Sequence, residues 1–238
     1  MKILAIETTG PLASVALIDQ DGSITERAGG ARYSHLEGLI PMIRLLLSDA
    51  QTEPQCLAAI AVSRGPGSFT GVRIGMTTAK ALAQVWQKPV VQVPTLDSFA
   101  FHERVGEGIL AVPILDARRS QIYAGAYRKT REQKILPCIE EKAWSPAEFL
   151  ELLAERQEAG ETALFCGDGA GVHEALLSRH PKPFFFCPAE ESGQQAAWVA
   201  RLGLQLYLAG CRTDAFSAEP VYLRQPEAER KLQEKWAK

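Results

Sequence analysis

I-L-A-V-P-I-L-D-A-R-R-S-Q-I-Y-A-G-A-Y, residues 109 to 127, restarts a pattern that the chain has already run once. An apolar strand over Ile109 to Leu115 leads through the turn D-A-R-R into an alternating strand from Gln121 to Tyr127, and a third strand is expected near Ile135 to Ile139. The N-terminus does the same. Lys2 to Thr8 is a short apolar strand, Ser14 to Asp19 alternates, and Asp21-Gly22 turns the chain into a strand near Ile24 to Ala28. The first half goes on with a helix over Ser34 to Ala50, a strand over Leu57 to Ser63 and a glycine-rich loop. A helix from Val72 to Trp86, a strand from Pro89 to Val93 and a helix opening at Thr95 complete it. The second half answers with a helix over Pro146 to Gln157, a strand over Ala163 to Cys166 and a helix over Gly171 to Arg179. A strand over Phe184 to Cys187 and a helix over Gln195 to Ala209 follow. Both halves read β-β-β-α-β-α-β-α.

Element order carries this repeat, because identity between the halves is weak. The order predicts an α/β protein of two stacked lobes, and it resembles the actin, Hsp70 and sugar-kinase superfold, also called ribonuclease H-like. Residues 1–104 form the first lobe and 105–210 the second; 211–238 are expected to return to the first lobe and end in a charged tail. In that superfold each lobe offers an acidic turn after its first strand. The acids in that place are Glu7 and Asp116.

Composition narrows the classes of function. At 238 residues, 46% hydrophobic and 23% charged, the chain has the make-up of a folded globular protein, and its formal charge of −2 provides no general basic field for nucleic acid. The five cysteines (Cys56, Cys138, Cys166, Cys187, Cys211) are odd in number and never spaced C-x-x-C, which argues against a disulfide framework or zinc knuckle and for thiols in a reducing compartment. Glu7 interrupts the opening apolar run, and no stretch of about 18 apolar residues occurs, so a cytoplasmic protein without a signal peptide or membrane span is expected.

The loop S-R-G-P-G-S-F-T-G-V-R-I-G, Ser63 to Gly75, sits where α/β enzymes hold phosphates. It is not a P-loop, since no Lys-Ser or Lys-Thr follows the glycines, and Thr70 stands where the dinucleotide fingerprint needs its third glycine. What it offers is backbone. Gly65, Gly67 and Gly71 allow positive φ, Ser68 or Thr70 can cap the following helix, and a helix N-terminus attracts anions, so these five are candidate anion or nucleotide contacts. The alternative is a tight capped turn without a ligand.

Two helices carry a further signal. Leu36, Leu39, Ile40, Ile43, Leu46 and Leu47 form a stripe suited to a sheet, while Gly38, Met42 and Leu45 lie on the other side, so this helix is apolar on two faces. The second face implies another layer or a partner protein. Pro41 predicts a kink or a late start. In the next helix Gly71, Gly75, Ala79 and Ala83 line up at four-residue spacing, which admits a close backbone neighbour: the chain's own sheet or neighbouring helix, or a partner. The candidate partner interface is therefore His35, Leu36, Gly38, Leu39, Met42, Leu45, Gly75, Ala79 and Ala83. Glu7 either orients a metal-bound water or accepts N–H bonds from its own turn; Asp116, Arg118 and Arg119 either edge a cleft or form a solvated hairpin. The run G-D-G-A-G, Gly167 to Gly171, sits where the superfold contacts adenosine, but is equally an ordinary turn.

The opening I-L-A-I-E-T-T, the segment S-H-L-E-G-L-I-P-M-I, the glycine loop, L-D-A-R-R-S-Q-I-Y and E-P-V-Y-L-R resemble the bacterial threonylcarbamoyladenosine-biosynthesis family TsaB, also called YeaZ. The resemblance spans most of the chain. It implies a non-catalytic subunit of the complex that makes N6-threonylcarbamoyladenosine at position 37 of tRNAs reading codons that begin with A. It also implies pairing with the catalytic TsaD, recruitment of the ATPase TsaE, a homodimer when alone, and tRNA reached only through the complex. TsaD carries a metal-binding H-x-x-x-H pair; His35, His102, His173 and His180 show no such spacing, so neither a catalytic residue nor a tightly bound metal or other cofactor is expected. ATP or ADP is expected only in the assembled complex. A rival reading from the enzyme class is an ATP-dependent phosphotransferase of the same superfold using Glu7, the loop and Asp116. A metalloprotease finds little support without the histidine pair.

Overall fold

A computed structural model describes residues 1–30 and 35–224. Side chains of His35 and Leu36, and the charged tail after Arg224, lie outside the described residues. The first half forms β1 (Lys2–Glu7), β2 (Ser14–Asp19), β3 (Ile24–Ala28), α1 (His35–Asp49), β4 (Leu57–Ser63), α2 (Phe69–Trp86), β5 (Val90–Val93) and α3 (Thr95–Ser98). The second forms β6 (Ile109–Asp116), β7 (Ile122–Lys129), β8 (Ile135–Trp144), α4 (Pro146–Arg156), β9 (Thr162–Cys166), α5 (Asp168–Val172), α6 (Glu174–Leu177), β10 (Phe184–Phe186) and α7 (Ala196–Leu208).

The sheets are the same sheet twice. One has the order β3-β2-β1-β4-β5 and the other β8-β7-β6-β9-β10, with the first three strands antiparallel and the last two parallel in each. This is the duplicated two-lobe arrangement that the element order predicts. Crossing connections place helices on both faces. The apolar sides Leu4, Ile6, Val15 and Leu17 of the first sheet are covered by Leu39, Ile43 and Leu46 of α1 and by Met76, Ala79 and Ala83 of α2. The opposite sides, Ile3, Ala5, Ala59 and Ala61, join Leu115, Tyr127 and Leu164 of the second sheet in one core shared by the lobes.

Helix α7 occupies that shared layer. By sequence position it closes the second lobe, yet it lies on the first sheet, against β1, β2, β4 and β5. A Cβ on Gly203 would come 2.7 Å from the Ala61 Cβ, so the small residue sets the closeness of this packing. The first lobe anchors the helix start: Ser14 Oγ accepts from Ala196 N at 2.8 Å and the Glu26 carboxylate accepts from Ala197 N at 3.0 Å, where a negative group favours a helix dipole. From Thr213, which makes paired backbone bonds with Val90, to Tyr222 the chain runs along the first lobe, and Arg224 reaches the second.

Several boundaries differ from expectation. Helix α1 runs through Pro41 without a late start, because Leu39, Ile43 and Leu46 are sealed against the sheet and hold the turns on either side of the missing N–H. Ile40 belongs to the outer face and is 44% exposed. Helix α2 begins at Phe69, three residues early, with Ser68 as its cap. The single helix expected over Gly171 to Arg179 is two short ones.

Candidate functional site

The glycine loop and the first acidic turn fill each other. Glu7 is fully buried at the end of β1. Its carboxylate accepts from Thr9 N at 2.5 Å, from Thr9 Oγ1 at 2.6 Å and from Ser63 Oγ, and burial raises its pKa above the usual carboxylate value. These donors come from its own turn and from β4, which is the structural one of its two expected roles. The loop glycines explain the closeness. A Cβ on Gly67 would stand 2.6 Å from Thr9 Cβ, one on Gly65 2.5 Å from Val221 O, and one on Gly71 inside the Thr8 carbonyl oxygen. Gly65 and Gly67 have φ of 106° and 157°. Ser68 N donates to Thr9 O at 2.8 Å, and Ser68 Oγ caps Gly71 N at 3.3 Å.

Of the five candidate anion contacts, Gly65, Gly67, Ser68 and Gly71 are thus committed to the chain itself, and Thr70 lies in the exposed first turn of α2. The physical reason is that the β1 turn and the C-terminal segment occupy the space next to the glycines. The second lobe repeats the device. Gly169 presses on the turn after β6, where its Cβ would meet Asp116 N at 2.8 Å, and Gly167 lies against Ile114 O with φ 96°. Gly167 and Gly169 of the G-D-G-A-G run thus serve packing, while a Cβ on Gly171 would meet nothing within 4 Å. Asp116 accepts from Arg118 N at 2.8 Å and pairs with the Arg118 guanidinium at 3.3 Å. Asp168 Oδ1 accepts from Asp116 N at 3.3 Å; burial, with a contribution from Asp116, raises the Asp168 pKa.

The stripe Gly71, Gly75, Ala79, Ala83 faces inward. A Cβ on Gly75 would strike Thr8 Oγ1, and Ala79 and Ala83 pack into the core beneath α1. Gly75, Ala79 and Ala83, and with them Leu39 at 1% exposure, offer no surface to a partner, which corrects that part of the expected interface. Helical spacing showed that something packs closely there; the chain's own first turn does so at Gly71 and Gly75, and its core at Ala79 and Ala83. Gly38, Met42 and Leu45 do reach the outside. Leu45 is 54% exposed and Ile40 44%, Met42 is half-buried, and beside them on α2 Val85 is 77% exposed with Ile74 and Leu82 half-buried. Met42, Leu45, Pro41 and Gly38 also wall a groove against Arg27 to Gly30 at the end of β3.

One constellation was not anticipated from sequence. Arg64 after β4, Asp97 on α3, and Tyr127 and Glu141 on the second sheet meet where the lobes join. Burial raises Asp97, and burial together with Asp97 pushes Glu141 up to about 7, while Arg64 opposes both shifts. Tyr127 OH faces the Asp97 carboxylate, while among the described residues Arg64 Nε and Glu141 Oε2 are buried without a hydrogen-bond partner. Because the folded state keeps a proton on Glu141 that the unfolded chain releases near its ordinary 4.5, the residue's contribution to stability falls as pH rises from about 4.5 to about 7. Glu141→Gln should therefore flatten the pH dependence and, after allowance for partial exposure, gain about 1 to 2 kcal/mol over the native protein at pH 8. Urea denaturation of both proteins at pH 5 and pH 8 checks it; parallel curves would remove Glu141 from the joint's titration.

Among the described residues, His102, Cys187 and Glu191 place potential metal donors within 4.8 Å of one another. The hydrogen bonding argues against an ion. Arg104 N donates to His102 Nδ1 at 3.0 Å, which leaves Nε2 as the N–H that faces Cys187 Sγ at 3.0 Å, and Glu191 is held at both oxygens by Arg104. Burial pushes the Cys187 thiol up to about 11. These contacts describe a buried His102–Cys187 pair beside a surface Arg104–Glu191 ion pair.

Duplicated sheets, an acidic turn in each lobe and helices crossing between the lobes define a protein of the two-lobe actin and sugar-kinase class whose first acidic turn and glycine loop close on one another. The family described as TsaD, tRNA N6-adenosine threonylcarbamoyltransferase, matches residues 18–229. The tRNA threonylcarbamoyladenosine biosynthesis protein TsaB of Bacillus subtilis (strain 168) is 33% identical over 233 residues, 97% of each chain, and that of Escherichia coli (strain K12) is 30% identical over 98% of each. The solved structure of YeaZ from Pseudomonas aeruginosa is 28% identical and superposes with a TM-score of 0.74 over 93% of this chain and 99% of that one. The chain belongs to the TsaB (YeaZ) family.

Proposed function

We propose that this chain is a non-catalytic subunit of the system that forms N6-threonylcarbamoyladenosine in tRNA, and that it works by docking on TsaD. The observation that carries the reading is the apolar outer wall of α1 and α2, with Leu45 and Val85 more than half exposed, in a chain whose first acidic turn is filled by its own residues. Full-length likeness to proteins named for threonylcarbamoyladenosine biosynthesis supports it. The same wall pairs two copies of the chain when no TsaD is present, since a bare apolar face favours a symmetric dimer. TsaE joins the TsaD pair, tRNA is engaged by the assembly in the cytoplasm, and nucleotide is held there and not by the free chain. The phosphotransferase reading needs Glu7 and the loop to face a ligand, and both are turned to their own chain.

The test is reconstitution. With TsaD and TsaE of the same organism, threonylcarbamoyl-adenylate as the donor, ATP and unmodified tRNA, modified adenosine should appear when this chain is present and fall to background when it is omitted. Unchanged modification without it would end the proposal. Calorimetry of the free chain with ATP and magnesium should show no micromolar binding and no turnover; both together would restore the phosphotransferase.

A further inference from the structure

The segment E-P-V-Y-L-R, Glu219 to Arg224, is not used by the docking wall, yet it touches three parts of the molecule. On α2, Lys80 Nζ donates to Phe216 O at 3.1 Å and Ala218 O at 2.8 Å. One end of the same helix is gripped again where Arg73 Nε donates to Tyr222 OH at 3.0 Å, its guanidinium 3.8 Å over the Phe69 ring. At the glycine loop, Val221 N donates to Arg64 O at 2.7 Å. At the second lobe, Arg224 Nη1 donates to Ala117 O at 2.6 Å and to Arg118 O at 3.4 Å.

The turn that Arg224 holds has an uncommon backbone. Arg118, Arg119 and Ser120 have φ of 64°, 55° and 57°, three consecutive residues with side chains in the left-handed region, where L residues other than glycine are disfavoured. Such a run persists only when its surroundings impose it, and Arg224 supplies two of the contacts that do so.

We propose that residues 216–224 act as a strap that links the docking helix α2 to the Asp116–Gln121 turn, so that a partner seated on α2 alters the order of that turn in the other lobe. This rests on the docking reading. The strap runs from a turn at 215–217 to a bend at 223–224 and is pinned at α2, at Arg64 and at the second-lobe turn, so displacement of Arg73 or Lys80 is passed to Arg224 without rearranging either core.

Hydrogen exchange reads the turn through Ala117 N, bonded to Gln121 O at 3.1 Å, and Gln121 N, bonded to Arg118 O at 3.1 Å. In the free chain, Tyr222→Ala, which removes the Arg73 contact nearest the turn and leaves the Lys80 bonds in place, should speed exchange at these amides about threefold or more, and Arg224→Ala about tenfold, with exchange in β1 unchanged. Adding TsaD should shift exchange at the turn in the native chain and not in Arg224→Ala. If Tyr222→Ala leaves the turn as it was, or if TsaD shifts native and Arg224→Ala chains equally, the strap transmits nothing. Failure of TsaD to bind the native chain sinks the docking reading instead, and the Tyr222→Ala result in the free chain then decides the strap alone.

Discussion

Gly71→Ala is expected to cost about 3 to 5 kcal/mol, enough to leave a protein of ordinary stability largely unfolded on mild heating. The added methyl would be driven into the Thr8 carbonyl oxygen, a backbone atom in a buried turn that has no free direction in which to move. Thr8 is fixed further by its hydroxyl, which donates to Gly71 O at 2.7 Å, and Thr9 by the Glu7 carboxylate. Relief therefore means pulling α2 off β1. Overpacking of a core side chain typically costs about 1 to 3 kcal/mol because neighbours can repack; here the obstacle is main chain. Gly38→Ala is the control, since a methyl there meets nothing within 4 Å and replaces a helical glycine, which should stabilise the fold by about 0.5 to 1 kcal/mol. Urea midpoints of the two variants give the answer. Equal midpoints would mean that the turn is softer than its contacts imply.

Leu45→Glu should leave the melting temperature within a degree or two and weaken association about 100-fold or more, both of the chain with itself and of the chain with TsaD. Leu45 is 54% exposed, so its charge costs the isolated fold little, whereas at the centre of an apolar contact it would be buried without a counter-ion. Neighbouring Met42 is half-buried, and a charge there should weaken association too, at some expense of stability. Sedimentation for the self-pair and calorimetry for the TsaD pair read the effect. Normal assembly of a folded Leu45→Glu protein would place the docking surface elsewhere.

The two variants separate roles that the same two helices combine. The inner side of α2 is a seam of small residues that lets the helix sit on the β1 turn, and the outer side of α1 and α2 is what remains to be covered. Gly169 of α5, pressed against the turn after β6, repeats the seam in the second lobe, so in this chain the glycines next to both acidic turns serve backbone packing.

Sequence alone determined the duplicated element order, the two five-stranded lobes, the family and the two-faced character of α1, because strand alternation, helical spacing and turn residues are local properties of the chain. Only the tertiary structure decided what covers each face. Spacing grouped Gly71, Gly75, Ala79 and Ala83 on one line, but the neighbour of the two glycines proved to be Thr8, far away in sequence, and that of the two alanines the core of the first lobe; Ile40 turned outward. Likewise α7 reads as the last helix of the second lobe and packs on the first sheet, and Arg64, Asp97, Tyr127 and Glu141 carry no common spacing because chain crossings between lobes bring them together. Periodicity fixes which residues share a side of an element; burial depends on which distant element arrives there, and that is settled by the packing of the whole chain.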